Sequence, residues 1–252
     1  MLETVKYQNH LGEEISFSEN GIYVQSSDLH DYAWEYIEKG AKIASFQRKI
    51  TNKTITLHIL CDSESAGIQK RNELTEYFEK DVLAKQPGKI IVNGYYLRCY
   101  VISSSKSTFL NSKKAMSVTL ELLTDEPYWI KEVAAEKNSQ YMMTNTLGYA
   151  TNFRLEINGL ATSPATIAIG GTNYGISDSV LAGEKLVIDS LTKEVYKLVN
   201  GEKVNVFNKR LRTGVNDYVF RKIPAGSNTV RRNSDFTWSM ILYDERSEPK
   251  WT

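Results

Sequence analysis

The stretch KIIVNGYYLRCYVI, Lys89–Ile102, alternates in character and is interrupted once, by Asn93-Gly94. Asn-Gly is the strongest local signal for a two-residue hairpin, because a type I′ turn needs positive φ at both central positions. The register follows from the turn. Val92 faces Tyr95 and Ile90 faces Leu97 on one side of the ribbon, and Cys99 and Val101 continue that side. Ile91 with Tyr96 and Lys89 with Arg98 occupy the other. Turn chemistry and apolar alternation agree, so this stretch predicts an antiparallel hairpin with one buried face.

Working upstream, TITLHILC at 54–61 places Ile55, Leu57, Ile59 and Cys61 on one face of a strand. Asp62-Ser63-Glu64 then offers capping residues and a first-turn acid, which predicts a helix from about Ser63 to Leu83. Leu74, Tyr77 and Phe78 are spaced to face inward, and Pro87-Gly88 should end it. Downstream, the polar segment at 103–117 reads as a loop or strand crossing. Val118, Leu120 and Leu122 then alternate until DEPYW at 125–129. Proline ends ladder pairing, so the stop at Glu126-Pro127 predicts a domain boundary, with Tyr128 and Trp129 capping the open end of the first core.

The expected domains are 1–132 and 133–252, with 133–150 as a connector lacking sustained period. Beyond it nearly everything reads as strand: FRLEI at 153–157, TIAI at 166–169, EKLVID at 184–189 and VYKLV at 195–199. Asn200-Gly201 marks a second tight hairpin. In FTWSMILY at 236–243, Phe236, Trp238, Met240 and Leu242 face one way, and Thr237, Ser239, Ile241 and Tyr243 the other. Short strands, tight turns and no clear helix predict an antiparallel sandwich. The fold class is therefore mainly β: an N-terminal β-barrel or sandwich with one α-helix, then a β-sandwich.

The 252 residues carry a net charge of +1. Up to Ile130 there are 15 basic and 17 acidic residues; beyond it, 16 and 13. Neither half is basic enough to predict nucleic-acid binding from charge. The N-terminus shows no secretory pattern, and no run approaches the ~18 apolar residues of a membrane span. Cys61 and Cys99 read as buried free thiols rather than a disulfide.

Convergent chemistry is thin. His10, His30 and His58 have no metal-ligand spacing, and the hydrolase and zinc motifs are absent. IGGTNYG at 169–175 lacks the lysine of a phosphate cradle and reads as a loop. The doublets Asp125-Glu126 and Asp244-Glu245 could form a carboxylate pair only by converging, so a wall hydrolase has little support. No catalytic, cofactor or metal site is expected. Between Phe207 and Arg232, however, Lys209, Arg210, Arg212, Arg221, Lys222, Arg231 and Arg232 face a single acid, Asp217. This is either a solvated rim or a contact surface for an acidic partner protein; nucleic acid ranks third, because stacking aromatics are few.

The order of strand, helix, PGKIIVNGYYLRCYVISSS and VTLELLTDEPYW resembles the N-terminal ring domain of bacteriophage distal tail proteins. The segments at 183–201, 223–232 and 236–252 resemble that family's C-terminal galectin-like β-sandwich. The resemblance implies a non-enzymatic virion structural protein at the tail tip, made and assembled in the host cytoplasm. It implies a homo-hexameric ring through which DNA passes without tight binding, with no cofactor and no membrane contact. The implied partners are the tail-tube, tape-measure and tail-associated lysin or fibre proteins, and receptor-binding proteins at the periphery. Within such a ring, residues 22–49 are placed at the contact between subunits. The galectin sugar-binding pattern is not visible, yet a carbohydrate-binding module for wall polysaccharide is the alternative reading.

Overall fold

The computed structural model describes residues 3–107, 114–137, 141–212, 214 and 218–251. Positions 108–113 of the expected loop, 138–140 of the expected connector, and Asp217 lie outside them. The chain divides into two units: Met1–Lys131 with Glu245–Thr252, and Glu132–Asp244. The first boundary lies within a few residues of Glu126-Pro127. The tail differs from expectation, because residues 245–252 belong to the first unit and not the second.

The first unit contains β1 (Val5–Gln8), β2 (Glu14–Ser16), β3 (Ser18–Glu19), β4 (Ile22–Ser27), β5 (Glu35–Lys39), β6 (Lys42–Gln47) and β7 (Thr51–Leu60). Helix α1 (Glu64–Ala84), β8 (Gly88–Val92), β9 (Tyr95–Lys106), β10 (Ala115–Thr124) and the start of β11 (Trp129–Lys137) follow. The β8–β9 register is the expected one: Val92 pairs with Tyr95, Ile91 with Tyr96, Ile90 with Leu97 and Lys89 with Arg98. Asn93 and Gly94 both have positive φ, 51° and 81°. From this hairpin the ladder runs one way through β10 and β7 to β4 and β3, and the other way through β1 to β2. Only Phe17 separates β2 from β3, and its N–H donates to Val5 O at 2.8 Å. The two ends of the ladder are thus halves of one bent strand, and the sheet closes on itself as a barrel.

Helix α1 has its cap at Ser63, whose Oγ accepts from Ala66 N, and ends at Lys85 in the left-handed conformation (φ 54°). Its Leu74 and Phe78 join the barrel core of Ile55, Leu57, Ile59, Leu97, Leu120 and Trp129. Asp81, fully buried on the same helix, accepts from Tyr7 Oη (2.5 Å) and His10 N (2.7 Å), with His10 Nδ1 at 2.6 Å. Burial above all, then the nearby Cys99 and Asp81, pushes the Tyr7 phenol far up, so it stays a donor. Cys99 is buried, its thiol pushed up to about 12 by burial, and Cys61 is a partly buried free thiol.

Strands β5 and β6 form a separate two-stranded hairpin outside the barrel ladder. Such a ribbon is marginal by itself, and its base is held by Arg48. That guanidinium lies 4.2 Å from the Trp34 ring centroid and 4.6 Å from that of Tyr128. It donates to the Pro127 carbonyl oxygen and to Ser247 Oγ. The tail is also held by His30 stacked on Trp251 (3.9 Å) and by Asn93 Nδ2 donating to Lys250 O (3.2 Å). Tyr128 therefore does not cap the core; it flanks Arg48, while Trp129 is buried.

The second unit is a sandwich. Its further strands are β12 (Met142–Asn145), β13 (Phe153–Asn158), β14 (Ala165–Ile169), β15 (Thr172–Ile176), β16 (Lys185–Asp189), β17 (Glu194–Val199), β18 (Glu202–Asn205), β19 (Gly226–Arg232) and β20 (Thr237–Arg246). One sheet has the order β18-β17-β16-β13-β20, the other β12-β19-β14-β15. Phe153, Leu155, Ile157, Trp238, Met240 and Leu242 meet Ile167, Ile169, Tyr174 and Val230 between them. Tyr243, on the opposite face of β20, is nonetheless buried, because its hydroxyl donates to Asp189 (2.7 Å). The expected connector is partly regular: β11 runs to Lys137, and β12 contributes Met143 to the core. The glycine-rich segment is a tight hairpin pairing Ile169 with Thr172.

Two stability outcomes follow. A Cβ at Gly88 would overlap Asp81 Oδ2 and Tyr7 Oη. Gly88→Ala should lower unfolding free energy by about 1–3 kcal/mol in urea titration. Arg48→Ala removes both ring contacts and both hydrogen bonds, and should cost about 1–3 kcal/mol. It should also hasten tryptic release of the C-terminal peptide several-fold, read by mass spectrometry; unchanged release would mean Arg48 does not secure the tail.

Candidate docking surfaces

The basic residues of 207–232 occupy more than one setting. Lys209 ends a short 3-10 turn, Phe207–Lys209, and the next residues lie along the edge of β15. Ser177 N donates to Lys209 O (2.7 Å), and Leu211 N to Gly175 O (3.2 Å). This edge pairing fixes the Arg210 backbone. Its guanidinium sits 3.7 Å from the Phe207 ring centroid and donates to Phe207 O at 2.9 Å. Arg210 and Arg212 line a groove of about 450 Å³ with Lys193, Phe207, Leu211, Tyr218 and Phe220. Arg221 and Lys222 follow Phe220 in the chain and are exposed.

Arg231 and Arg232 lie elsewhere, on β19 opposite Ala168 and Ile167. Arg232 donates to Phe236 O and is 3.6 Å from Asp235. It lines a shallow depression with Tyr141 and Asn233. Of the seven residues, the structure joins Arg210 and Arg212 at one groove and adds Lys193. That lysine lies in the β16–β17 turn, and nothing local in the sequence ties it to the others.

A second surface is the β5–β6 hairpin, every residue of which is exposed. Tyr36 pairs with Phe46, and Glu38 with Ile43, with a bulge after Ile37. Tyr36, Ile37, Ile43 and Phe46 are each 45–61% exposed. Flanking Tyr32, Trp34 and Ile50 are exposed as well. Exposed apolar side chains grouped on one element mark a contact surface more often than isolated ones do. Beneath the hairpin, a crevice of about 330 Å³ is lined by Asp31, Glu35, Arg48, Lys53 and Trp129. Burial pulls both cations below their ordinary ranges; nearby Asp28 and Asp31 partly counter it at Lys53. Lys53 Nζ donates to Asp28 O (2.9 Å) and to Asp31 O, which ties the chain entering the hairpin to β7.

Elsewhere four of the candidate chemical groups are held in structural bonds. Glu126 pairs with Arg98 at 2.9 Å, and Asp244 accepts from Tyr149 Oη at 2.7 Å. His10 is bound to Asp81, and His30 to Glu3 at 2.8 Å. Among the described residues no group of three or more His, Cys, Asp or Glu is placed to hold a metal ion, and no helix is long and apolar enough to cross a membrane.

No family model matches the chain, and no curated protein does. Solved structures do. The crystal structure of the Dit protein of SPP1, described as a paradigm of the hub adsorption apparatus in phages infecting Gram-positive bacteria, superposes with a TM-score of 0.63. It is 10% identical, over 98% of this chain and 100% of that one. Chains of the phage P2 baseplate in its activated conformation, with Ca and with Sr, give TM-scores of 0.69 and 0.68 at 9% identity. Each covers 99% of this chain and 100% of its own. Across essentially its whole length, the chain therefore has the fold of these phage hub and baseplate proteins.

Proposed function

We propose that the protein is a non-enzymatic structural subunit of a phage or prophage tail tip. It forms a hexameric ring hub that joins the tail tube to the host-recognition apparatus and lets DNA pass. The single observation that carries this reading is the end-to-end likeness of fold to the SPP1 hub protein and the phage P2 baseplate chains. Physical features agree with it. Glu126, Asp244, His10 and His30 are engaged in structural bonds, and the first unit presents an anchored, apolar hairpin suited to contact between copies.

A head-to-tail contact repeated about an axis closes a ring when its rotation divides a full turn. Most of the barrel's ladder is paired internally, so the contact falls to the β5–β6 hairpin. Such an interface buries roughly 1,200–2,000 Å². Four exposed apolar side chains with flanking Tyr32 and Trp34 would form its centre. In this reading the proximal neighbour is the tail-tube protein, the tape-measure protein lies inside, and a lysin or fibre protein sits below. Receptor-binding proteins dock on the periphery. Assembly in the host cytoplasm suits free thiols such as Cys99.

Native mass spectrometry and negative-stain imaging of the full chain, with and without tail-tube protein, test the ring. The expected particle has six subunits. Ile37→Asp with Phe46→Asp should leave the thermal midpoint nearly unchanged, because both side chains are exposed, and weaken assembly at least about tenfold. A monomer under every condition would sink the reading. The carbohydrate-binding alternative predicts saturable binding of wall polysaccharide by the intact protein; no binding in pull-down is the expected result.

A further inference from the structure

Four Asn-Gly pairs occur in the chain: Asn20-Gly21, Asn93-Gly94, Asn158-Gly159 and Asn200-Gly201. Asparagine is thermolabile, and a following glycine has no Cβ to shield its backbone nitrogen from the asparagine side chain. Structure then decides which pair reacts. We propose that Asn200 is a site of spontaneous deamidation in the folded protein, converted by water to aspartate and isoaspartate while the other three asparagines persist.

The chemistry is self-contained. The Gly201 nitrogen gives up its proton and bonds to Asn200 Cγ. The Cγ–Nδ2 bond breaks, ammonia leaves with that proton, and a succinimide ring joins the two residues. Water opens the ring at either carbonyl, giving an α-linked aspartate or a β-linked isoaspartate. Ring closure requires Cγ to swing onto the next nitrogen. A side chain held by hydrogen bonds, or a turn held by partners outside it, resists that movement, so local opening sets the rate.

Three of the four pairs are restrained. Asn93 Nδ2 donates to Glu3 Oε1 and to Lys250 O, each at 3.2 Å, and its backbone N–H donates to Thr4 O at 3.2 Å. Its hairpin is flanked as well, by β1 along β8 and by β10 along β9. Asn158 sits inside a ladder, opposite Lys185 on one side and Thr237 on the other. The turn at Asn20 is tied through its carbonyls: Lys70 Nζ donates to Asn20 O (2.6 Å) and Leu60 N to Gly21 O (2.7 Å).

Asn200 is exposed, and among the described residues its side chain makes no hydrogen bond. Its backbone matches that of the restrained turn, with φ of 51° and 85° at Asn200-Gly201 against 51° and 81° at Asn93-Gly94. The difference therefore lies in the surroundings. The Asn200 turn joins β17 to β18, the last strand of its sheet, and all four residues of β18 are exposed. A hairpin paired along one side opens at lower cost than a flanked one. Beyond the ladder, Lys203 clasps it, donating to Glu194 Oε1 at 2.7 Å and lying 4.3 Å from the Tyr196 ring centroid. Isoaspartate would lengthen the main chain by a methylene inside a two-residue turn and set a carboxylate at its tip. The reaction needs a folded chain and no ring, so it stands or falls apart from the hub reading.

The test is incubation of the intact protein in mildly alkaline buffer, with peptide mapping by mass spectrometry at intervals. The Asn200 amide should be lost at least about tenfold faster than those of Asn20, Asn93 and Asn158, with isoaspartate identified by electron-transfer fragmentation. In the urea-unfolded chain the four should react at similar rates. Lys203→Ala should speed the loss at Asn200 and leave Asn93 unchanged; global unfolding would speed all four, so the other sites report whether the variant is folded. Equal rates at the four sites of the folded protein would overturn the proposal, as would an Asn200 that outlasts any of the others. So would the same order of rates in urea, which would assign the selectivity to local sequence, or an Asn200 rate indifferent to Lys203→Ala.

Discussion

Closure of the first barrel is the constraint from which the rest follows. A sheet edge is a row of unpaired donors and acceptors that invites other chains. Here the edge disappears because one strand, bent at Phe17, pairs with β1 through its first half and with β4 through its second. Having used most of its backbone groups internally, the barrel binds a neighbour more readily through side chains or through an appendage. The β5–β6 hairpin is that appendage. Because it takes no ladder bonds from the barrel, its footing rests on side chains: Arg48 between Trp34 and Tyr128, with Lys53 tying the entering chain to β7.

The two candidate surfaces work by different physics. The hairpin offers exposed aromatic and aliphatic area, whose attraction is non-directional and grows with what is buried. The groove of the second unit offers few but oriented charges over an apolar floor, a pattern that selects among partners more than it adds affinity.

The parts legible in the sequence were those written in short-range chemistry. Asn93-Gly94 specifies the hairpin register because turn and alternation lie within fourteen residues of one another. Helix α1 was legible from Ser63 at one end and Pro87 at the other. The β5–β6 hairpin was not: all of its residues are exposed, so no buried face imposes period two. Strand β11 escaped because Trp129 and Ile130 are consecutive and both buried, which breaks alternation where the strand begins. The placement of the basic run could not be read from proximity in sequence. Arg210 lies along the edge of β15 and Arg231 on β19 of the same sheet, while Lys193 reaches the groove from a distant turn. The Tyr7–Asp81–His10 network joins residues more than seventy positions apart, a pairing that no local pattern encodes.

The placement of residues 245–252 makes the second unit an insertion within the first. Translation reaches Ser247, Lys250 and Trp251 only after the whole sandwich has been made, so Arg48, Asn93 and His30 wait until then for their partners. A nascent or prematurely terminated chain would display the hairpin on an incompletely secured base. Synthesis of this segment is thereby coupled to the firmness of the arm.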